Sequence, residues 1–409
     1  MKCIRALYGE KQKFPPIFAS KYIKMKIRLL LLIFPLFLLN SYSQISPGAW
    51  QTEEYIPLLK NKNVGIVANA SSLIQQTHLV DSLLHLNIHI KRVFAPEHGF
   101  RGKAEAGAHI KDGIDKKTSL PIISLYGNNK KPKKEQLTDI DIMIFDLQGV
   151  GARFYTYIST LTYVMQACAE NHIPLIILDR PNPNIHYVDG PILQKEQQSF
   201  VGLLPIPIVY GMSDAELALM INGEQWLENK AICELIIVKN KNYHRQSIYN
   251  LPIAPSPNLP NFQSIYLYPS LCLFEGTKIS IGRGTPFPFQ VVGEPHYTDT
   301  IFSFTPKSIA GVSNHPKFEN KKCYGINLQE EYQNIQEKPQ QIQLSYLIDF
   351  YHSYEPKETF FLPFFEKLAG TDKLRTQIIQ GLNEEEIRHS WQEELLEYKE
   401  KRKPYLIYQ

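Results

Sequence analysis

Short apolar segments alternate with helical patterns from residue 64 onward, and this alternation restricts the possible folds more than any other feature of the sequence. Helical patterns include one that begins with a capping box formed by Ser213 and Glu216. Strands that lack polar alternation are buried on both faces, as in a parallel sheet covered by helices. The sequence therefore predicts an α/β fold built on a parallel sheet. The predicted strands are residues 64–70, 88–95, 122–126, 141–147, 174–178, 206–210 and 234–238, and the first predicted helices are residues 78–86 and 152–171.

The chain changes character after residue 250, which indicates a domain boundary. Four prolines within residues 251–260 exclude a helix or a central strand, so this segment is predicted to be an ordered connector. Gly282 and Gly284 then lie in a loop. We therefore expect a first domain at residues 48–262 and a second domain at residues 263–409. The predicted helices of the second domain are residues 344–354, 374–382 and 384–400.

The N-terminal residues have the pattern of a secretory signal. Lys24, Lys26 and Arg28 precede an apolar run at residues 29–39, and small residues follow up to Ser43. Because the run is short for a membrane span, we predict a signal peptide at residues 25–43, cleaved near Ser43, and an exported periplasmic or extracellular protein without a stable span. An uncleaved anchor is the alternative. The formal net charge of +4 gives no reason to expect a nucleic-acid partner.

A charged loop follows the second predicted strand, where an open parallel sheet binds its ligands. This loop contains Glu97, His98 and Arg101. Glu97 could act as a general acid if its surroundings keep it protonated, but a helix-capping or ion-paired glutamate is an equally good interpretation. His98 and Arg101 are candidate ligand-binding residues of the same loop.

Arg153, Tyr155 and Tyr157 begin the helix that follows the fourth predicted strand. Their polar ends, at a helix N-terminus, could bind an anionic ligand group. For each tyrosine taken alone, packing in an amphipathic helix is the somewhat better interpretation. All three side chains are therefore candidates for ligand binding.

Two further groups of polar residues could contribute to a site. Asp179, Arg180 and Asn182 follow the fifth predicted strand, in a loop restrained by prolines. An internal hydrogen-bonded network is the alternative for this loop. Glu275 and Arg283 belong to the glycine-rich region of the second domain, where they could face the first domain across a cleft or form a structural ion pair.

Neither a dinucleotide nor a metal ion is predicted as a cofactor. Gly149 and Gly151 begin a Gly-x-Gly-x-x-Gly pattern, but Phe154 occupies its third position. The histidines are dispersed without the spacing of metal ligands, and neither a His-Glu-x-x-His nor an EF-hand pattern is present. A Gly-x-Ser-x-Gly motif is also missing, which leaves any nucleophilic serine unmarked.

Five segments together resemble one known family. They read FAPEHGFRG at residues 94–102, RFYTY at 153–157, DRPNP at 179–183, FEGT at 274–277 and GRGT at 282–285. In this order they are similar to the NamZ-type exo-β-N-acetylmuramidases, from residue 64 to residue 408. The resemblance implies a Rossmann-like parallel-sheet domain, a C-terminal α+β domain and an active site in the cleft between them.

The resemblance also implies an activity, the release of a terminal N-acetylmuramic acid from the non-reducing end of peptidoglycan fragments. Glu97 matches the glutamate proposed as catalytic in the family, whereas Gly149 stands where the family commonly has an aspartate. One alternative is therefore a muropeptide-binding protein with impaired catalysis, and another is a different cell-wall hydrolase, an amidase or esterase. The expected partners are peptidoglycan-derived saccharides or muropeptides.

Glycoside hydrolysis needs a proton donor and a group that stabilises a cationic sugar. Glu97 is the expected donor, and the second group is expected to be Glu275, Asp179 or the acetamido oxygen of the substrate. Muramic acid carries a lactyl carboxylate, for which Arg153 or Arg283 is the expected partner. The other candidate substrate-binding residues are His98, Arg101, Tyr155, Tyr157, Arg180 and Asn182.

Overall fold

A seven-stranded, mostly parallel sheet forms the centre of the N-terminal half of the protein. The computed structural model describes residues 44–101 and 112–409, so the predicted signal peptide at residues 25–43 lies outside the described residues. Within the described ranges the strands, numbered in chain order, are β1 Val64–Ala68, β2 Leu73–Ile74, β3 Thr77–His78, β4 Ile90–Ala95, β5 Gly113–Ile114, β6 Pro121–Ser124, β7 Ile142–Asp146, β8 Leu175–Leu178, β9 Leu235–Val238, β10 Val291–Glu294, β11 Phe302–Phe304 and β12 Cys323–Asn327.

The spatial order of the central sheet is β5-β6-β4-β1-β7-β8-β9, in which β5 alone runs antiparallel to its neighbour. Every residue of β1, β7 and β8 is buried, as their unbroken apolar composition predicts. Successive side chains of β1 enter two cores, since Ile66 packs on one face of the sheet and Val67 on the other. The predicted α/β fold with a parallel sheet is confirmed.

Helices connect the strands and make up much of the C-terminal half. The predicted capping box is present, because Ser213 Oγ accepts a hydrogen bond from the amide of Glu216 at 3.2 Å. No helix within residues 44–101 and 112–409 has the length and apolar character needed to cross a membrane. The helices of these ranges are α1 Thr52–Leu59, α2 Leu79–His85, α3 Lys134–Leu137, α4 Tyr157–Glu170, α5 Asp214–Gly223, α6 Phe262–Leu271, α7 Ser345–Ser353, α8 Phe365–Ala369, α9 Lys373–Ile379, α10 Glu384–His389 and α11 Gln392–Arg402.

The predicted strand at residues 206–210 is not part of the sheet. Val209 forms only isolated bridges, to Ala152 and to Asp189. All five residues of the segment are nevertheless buried, and their side chains are apolar or aromatic. The prediction was wrong because an apolar run indicates burial, and here the segment is buried against loops while β9 occupies the sheet edge.

The C-terminal half carries a smaller antiparallel sheet with the order β10-β12-β11. The predicted connector at residues 251–260 contains neither helix nor strand, and α6 begins shortly after it. Residues Ile45–Gln409 form one compact unit, in which the core on the α4 side of the large sheet continues into the C-terminal half. We call residues 45–262 the N-terminal lobe and residues 263–409 the C-terminal lobe; the domain boundary between them stays a prediction.

Candidate active site

A cavity of about 750 Å³ lies between the two lobes, on the side of the sheet where β4, β6 and β7 have their carboxyl ends. Ligands of parallel sheets bind at this edge, and pockets of this size suit small molecules. The cavity lies in the cleft expected between the two halves of the chain. Its lining includes Glu97, His98, Tyr126, Lys130, Tyr155, Thr156, Tyr157, Phe200, Glu275 and Arg283.

Glu97 lies on a tight turn directly after β4. The amide of Gly99 donates a hydrogen bond to the oxygen of Pro96 at 3.0 Å, and His98 and Gly99 have left-handed backbone conformations with φ of 70° and 75°. Thr156 Oγ1 donates a hydrogen bond to Glu97 Oε2 at 2.8 Å. The turn and this hydrogen bond together hold the carboxyl group of Glu97 in the cavity wall, next to His98.

Three tyrosines surround the Glu97 side of the cavity. Tyr157 Oη accepts a hydrogen bond from Asn69 Nδ2 at 2.6 Å, and the rings of Tyr155 and Tyr157 meet edge to face at 4.7 Å. Burial and the charge of Glu97 raise the pKa of Tyr126, so this phenol is neutral at physiological pH. Tyr155 and Tyr157 thus line the cavity, and their contact with a substrate stays a prediction.

Glu275 and Arg283 form an ion pair in the wall contributed by the C-terminal lobe. Arg283 Nε lies 2.6 Å from Glu275 Oε1. Burial alone would lower the pKa of Arg283, but the carboxylate of Glu275 outweighs burial and raises it. Both interpretations of these residues are therefore compatible, because the structural ion pair also faces the cleft.

Lys317, which no local sequence pattern identifies, fixes the turn that carries Glu275. Its Nζ donates to the backbone oxygens of Phe274 at 3.0 Å, Glu275 at 3.3 Å, Thr277 at 2.7 Å and Ile279 at 3.2 Å. Burial lowers the pKa of Lys317 to about 8. The four acceptors lie 38 to 43 residues earlier in the chain, so no short spacing could have revealed this contact.

Arg153 lies outside the cavity lining. Its side chain has no exposed surface, and burial lowers its pKa to about 9. The guanidinium donates hydrogen bonds to the backbone oxygens of Pro191, Ile206, Leu368 and Ala369, at 2.7 to 3.0 Å. These acceptors belong to both lobes, so Arg153 joins the lobes, and its geometry does not support the predicted contact with a ligand.

Asp179 and Asn182 are also buried outside the cavity lining. Asp179 Oδ2 accepts hydrogen bonds from Tyr408 Oη at 2.6 Å and from Asn240 Nδ2 at 3.3 Å. Burial raises the pKa of Asp179 to about 6. Asn182 Nδ2 donates to the backbone oxygen of Met212 at 2.8 Å. These contacts fit an internal network, the alternative interpretation of this loop.

Arg180 and Arg101 form ion pairs with carboxylates of the protein. Arg180 Nε lies 2.6 Å from Asp146 Oδ1, and both side chains are buried. Arg101 Nη2 lies 2.7 Å from Asp115 Oδ2 and 3.1 Å from Asp81 Oδ1. Neither arginine lines the cavity, so the geometry does not support their predicted contact with a substrate.

Gly149 lies against a buried carboxyl group of the N-terminal lobe. A Cβ atom on Gly149 would be 3.1 Å from Asp214 Oδ1. Burial, together with the neighbouring charge of Asp179, raises the pKa of Asp214 to about 8, so Asp214 is mostly protonated at neutral pH. A carboxyl group therefore already occupies the space beside residue 149, and Gly149 itself is not part of the cavity lining.

The cavity offers acid–base and hydrogen-bonding groups. Its wall combines the carboxyl group of Glu97, the phenols, the imidazole of His98 and the Glu275–Arg283 pair. Across residues 44–101 and 112–409, no three or more His, Cys, Asp and Glu side chains cluster in a way that could hold a metal ion. These groups suit proton transfer and recognition of a polar ligand.

Of the lining residues named above, four were not among the sequence-based candidates: Tyr126, Lys130, Thr156 and Phe200. Tyr126 ends a predicted strand, so the rule that ligands bind at the carboxyl edge of a parallel sheet could have identified it. Lys130 and Phe200 lie in loops without a distinguishing pattern, and only the fold brings them to the cavity.

Both lobes have counterparts in one known protein. Residues 64–263 match the N-terminal domain, and residues 266–408 the C-terminal domain, of the exo-β-N-acetylmuramidase NamZ. The chain belongs to the NamZ family. It is 39% identical to the peptidoglycan β-N-acetylmuramidase NamZ of Bacillus subtilis (strain 168) over 375 residues. This aligned region makes up 87% of this chain and 89% of that protein.

Two crystal structures of DUF1343 family proteins from Bacteroides fragilis NCTC 9343 are similar to this member of the NamZ family. One is 49% identical with a TM-score of 0.83, covering 90% of this chain and 99% of the other. The second is 26% identical with a TM-score of 0.74, covering 89% of this chain and 99% of the other. The α/β fold with a large parallel sheet and a C-terminal domain is therefore shared with solved structures.

Proposed function

We propose that this NamZ family member is an exo-acting β-N-acetylmuramidase, a glycoside hydrolase that releases terminal N-acetylmuramic acid from the non-reducing end of peptidoglycan fragments. The observation that carries the proposal is the carboxyl group of Glu97, which Thr156 holds in the wall of the cavity between the lobes. The name of the Bacillus subtilis relative, a peptidoglycan β-N-acetylmuramidase, supports the same reaction.

In the proposed mechanism, Glu97 protonates the glycosidic oxygen while the terminal sugar develops positive charge. The bond between the anomeric carbon and this oxygen breaks, and the leaving saccharide departs with the proton. Glu275 or the acetamido oxygen of the substrate stabilises the cationic centre until water adds to the anomeric carbon and gives a proton back to the Glu97 carboxylate. Asp179, which hydrogen-bonds to Tyr408 outside the cavity lining, does not fit this second role.

Recognition of muramic acid requires a cation for the lactyl carboxylate. Of the two predicted arginines, Arg283 lines the cavity, whereas Arg153 gives its hydrogen bonds to backbone oxygens. Arg283 uses its Nε for Glu275, and its Nη groups make no hydrogen bond to other residues in the described part of the chain. We therefore assign the lactyl contact to the Nη groups of Arg283.

Paired chromogenic substrates test the proposed activity. The protein is incubated with an aryl β-N-acetylmuramide and with the matching aryl β-N-acetylglucosaminide, which lacks only the lactyl group. We expect release of the aryl group from the muramide and little from the glucosaminide. If a folded protein binds muropeptides but cleaves neither substrate, it is the catalytically impaired binding protein; if it releases peptide or acetate from muropeptides, it is an amidase or esterase.

The substitution at Gly149 does not favour the impaired protein. A side chain at this position would meet the carboxyl group of Asp214, and Gly149 does not line the cavity. The candidate acid Glu97 and the ion pair of Glu275 and Arg283 are all retained in the lining. The geometry therefore supports a catalytic protein.

We also propose that the protein is exported and acts in cell-wall recycling. The proposal rests on the signal pattern at residues 25–43 and on a cell-wall substrate, which lies outside the cytoplasm. N-terminal sequencing of the mature protein is the test. A product that begins near Ser43 supports export with cleavage, and a product that retains the apolar run at residues 29–39 contradicts it.

A further inference from the structure

A row of partly exposed aromatic side chains leads from Glu97 to a second cavity. Tyr126 neighbours Glu97, and its ring centroid lies 6.0 Å from that of Phe200. The ring of Tyr163 stacks on Phe200 with a centroid distance of 6.3 Å. Tyr163 and Trp226 both line the second cavity, whose volume is about 320 Å³. We call Tyr126, Phe200, Tyr163 and Trp226 the aromatic track; one end of it belongs to the candidate active site.

The aromatic track offers polar groups that the protein itself does not use. Among the described residues, Tyr163 Oη and Trp226 Nε1 have no hydrogen-bond partner. The ammonium group of Lys130 lies 4.9 Å from the ring centroid of Phe200 and forms no ion pair with a described carboxylate. Aromatic surface combined with a few polar groups is the usual composition of a small-molecule site. The track therefore has the composition of a binding surface.

We propose that the aromatic track binds the leaving saccharide, the sugars that follow the scissile bond in a longer glycan fragment. The proposal rests on the proposed function: the residues around Glu97 hold the terminal muramic acid, and the track holds the sugars from which it is cut. The apolar faces of sugar rings pack on aromatic rings, and their hydroxyl and acetamido oxygens accept hydrogen bonds from Tyr163 and Trp226. Lys130 suits the carboxylate of a second muramic acid in the leaving saccharide.

Substrates with and without a leaving saccharide test this proposal. Wild type, Trp226→Ala and Tyr163→Ala are assayed on the aryl β-N-acetylmuramide and on a peptide-free tetrasaccharide that begins with N-acetylmuramic acid. We expect each substitution to lower kcat/KM for the tetrasaccharide about 3- to 10-fold and to leave the aryl muramide unchanged, because only the tetrasaccharide reaches the track. Tyr324→Ala is the matched control, since Tyr324 is a partly exposed aromatic residue outside both cavities.

Binding of the leaving saccharide alone separates this proposal from the proposed function. The probe is the trisaccharide that remains after the terminal muramic acid is removed, and its Kd is measured by calorimetry. Supporting results are binding by wild type and a Kd about 3- to 10-fold higher in both track variants. Failure of wild type to bind, or an unchanged Kd in folded Tyr163→Ala, overturns the track, even if the aryl muramide is cleaved. Failure to cleave the aryl muramide refutes the proposed function. The Kd of the trisaccharide still shows in that case whether the aromatic track binds saccharides.

Discussion

Replacing Glu97 by Gln removes the proposed proton donor while preserving its shape. The amide has nearly the volume of the carboxyl group, and its oxygen can still accept the 2.8 Å hydrogen bond from Thr156, but it carries no acidic proton. General acid catalysis contributes about 10²- to 10⁴-fold to a rate, equivalent to about 3–5 kcal/mol of activation free energy. We therefore expect Glu97→Gln to lower turnover of the natural disaccharide by about this factor.

Two leaving groups separate the loss of proton donation from a loss of binding. An aryl group that is a weak base needs little protonation, so Glu97→Gln should lose much less activity on the aryl muramide than on the disaccharide. The melting temperature should change little, because the amide keeps the volume of the carboxyl group and its oxygen can still accept the hydrogen bond from Thr156. Glu294→Gln is the matched control, because Glu294 is a buried carboxylate outside the cavity lining. A folded Glu97→Gln protein with near-full turnover of the disaccharide would refute the assignment and direct attention to Glu275.

Four further outcomes are expected. Arg283→Ala should weaken binding of N-acetylmuramic acid by about 1.5–3 kcal/mol and hardly change binding of N-acetylglucosamine; equal losses in calorimetry would contradict the lactyl contact. Arg153→Met should lower the free energy of unfolding in urea by at least about 3 kcal/mol, because four buried carbonyl oxygens lose their donor; altered sugar selectivity at unchanged stability would contradict this structural role. Burial raises the pKa of Asp214 from its ordinary value of 3.8 to about 8. Protonation of Asp214 therefore stabilises the folded protein fully below pH 3.8, and this stabilisation is lost as the pH rises through about 8. Between pH 3.8 and about 8, the melting temperature should decline less in Asp214→Asn than in wild type. Dialysis against a chelator should leave activity intact, and activity restored only by a divalent metal would show that a metal is required.

The strands could be predicted because a run of consecutive apolar residues is enough to indicate a buried strand. Every residue of β1 and β7 is buried, and the two faces of these strands enter different cores, so each apolar run indicates a strand in the middle of a sheet. Glu97 could be found by the same reasoning, since its position directly after β4 places it at the edge where ligands bind. The segment at residues 206–210 shows the limit of this reasoning. Its apolar side chains indicate that the segment is buried, but they do not indicate which backbone groups form hydrogen bonds with it.

The roles of the buried charged residues could not be predicted, because their partners are far away in the chain. Arg153 donates to the oxygen of Ala369, 216 residues later, and Asp179 accepts from Tyr408, 229 residues later. A short motif such as the one around Arg153 shows which residues are neighbours in the sequence, but it does not show which distant residues they contact. In the structure, Arg153 and Asp179 stabilise the fold, although their charged side chains could equally well bind a ligand.

The same distant partners set an order for folding during synthesis. While the last part of the chain is still being made, the N-terminal lobe already contains Arg153 and Asp179 but lacks Ala369 and Tyr408, and burying these groups without partners is unfavourable. The lobe therefore cannot reach its final stability before the C-terminal residues emerge from the ribosome. For the export proposed above, such a delay would favour the unfolded state that passage through an export channel requires. The N-terminal lobe expressed alone should accordingly be an unstable fragment.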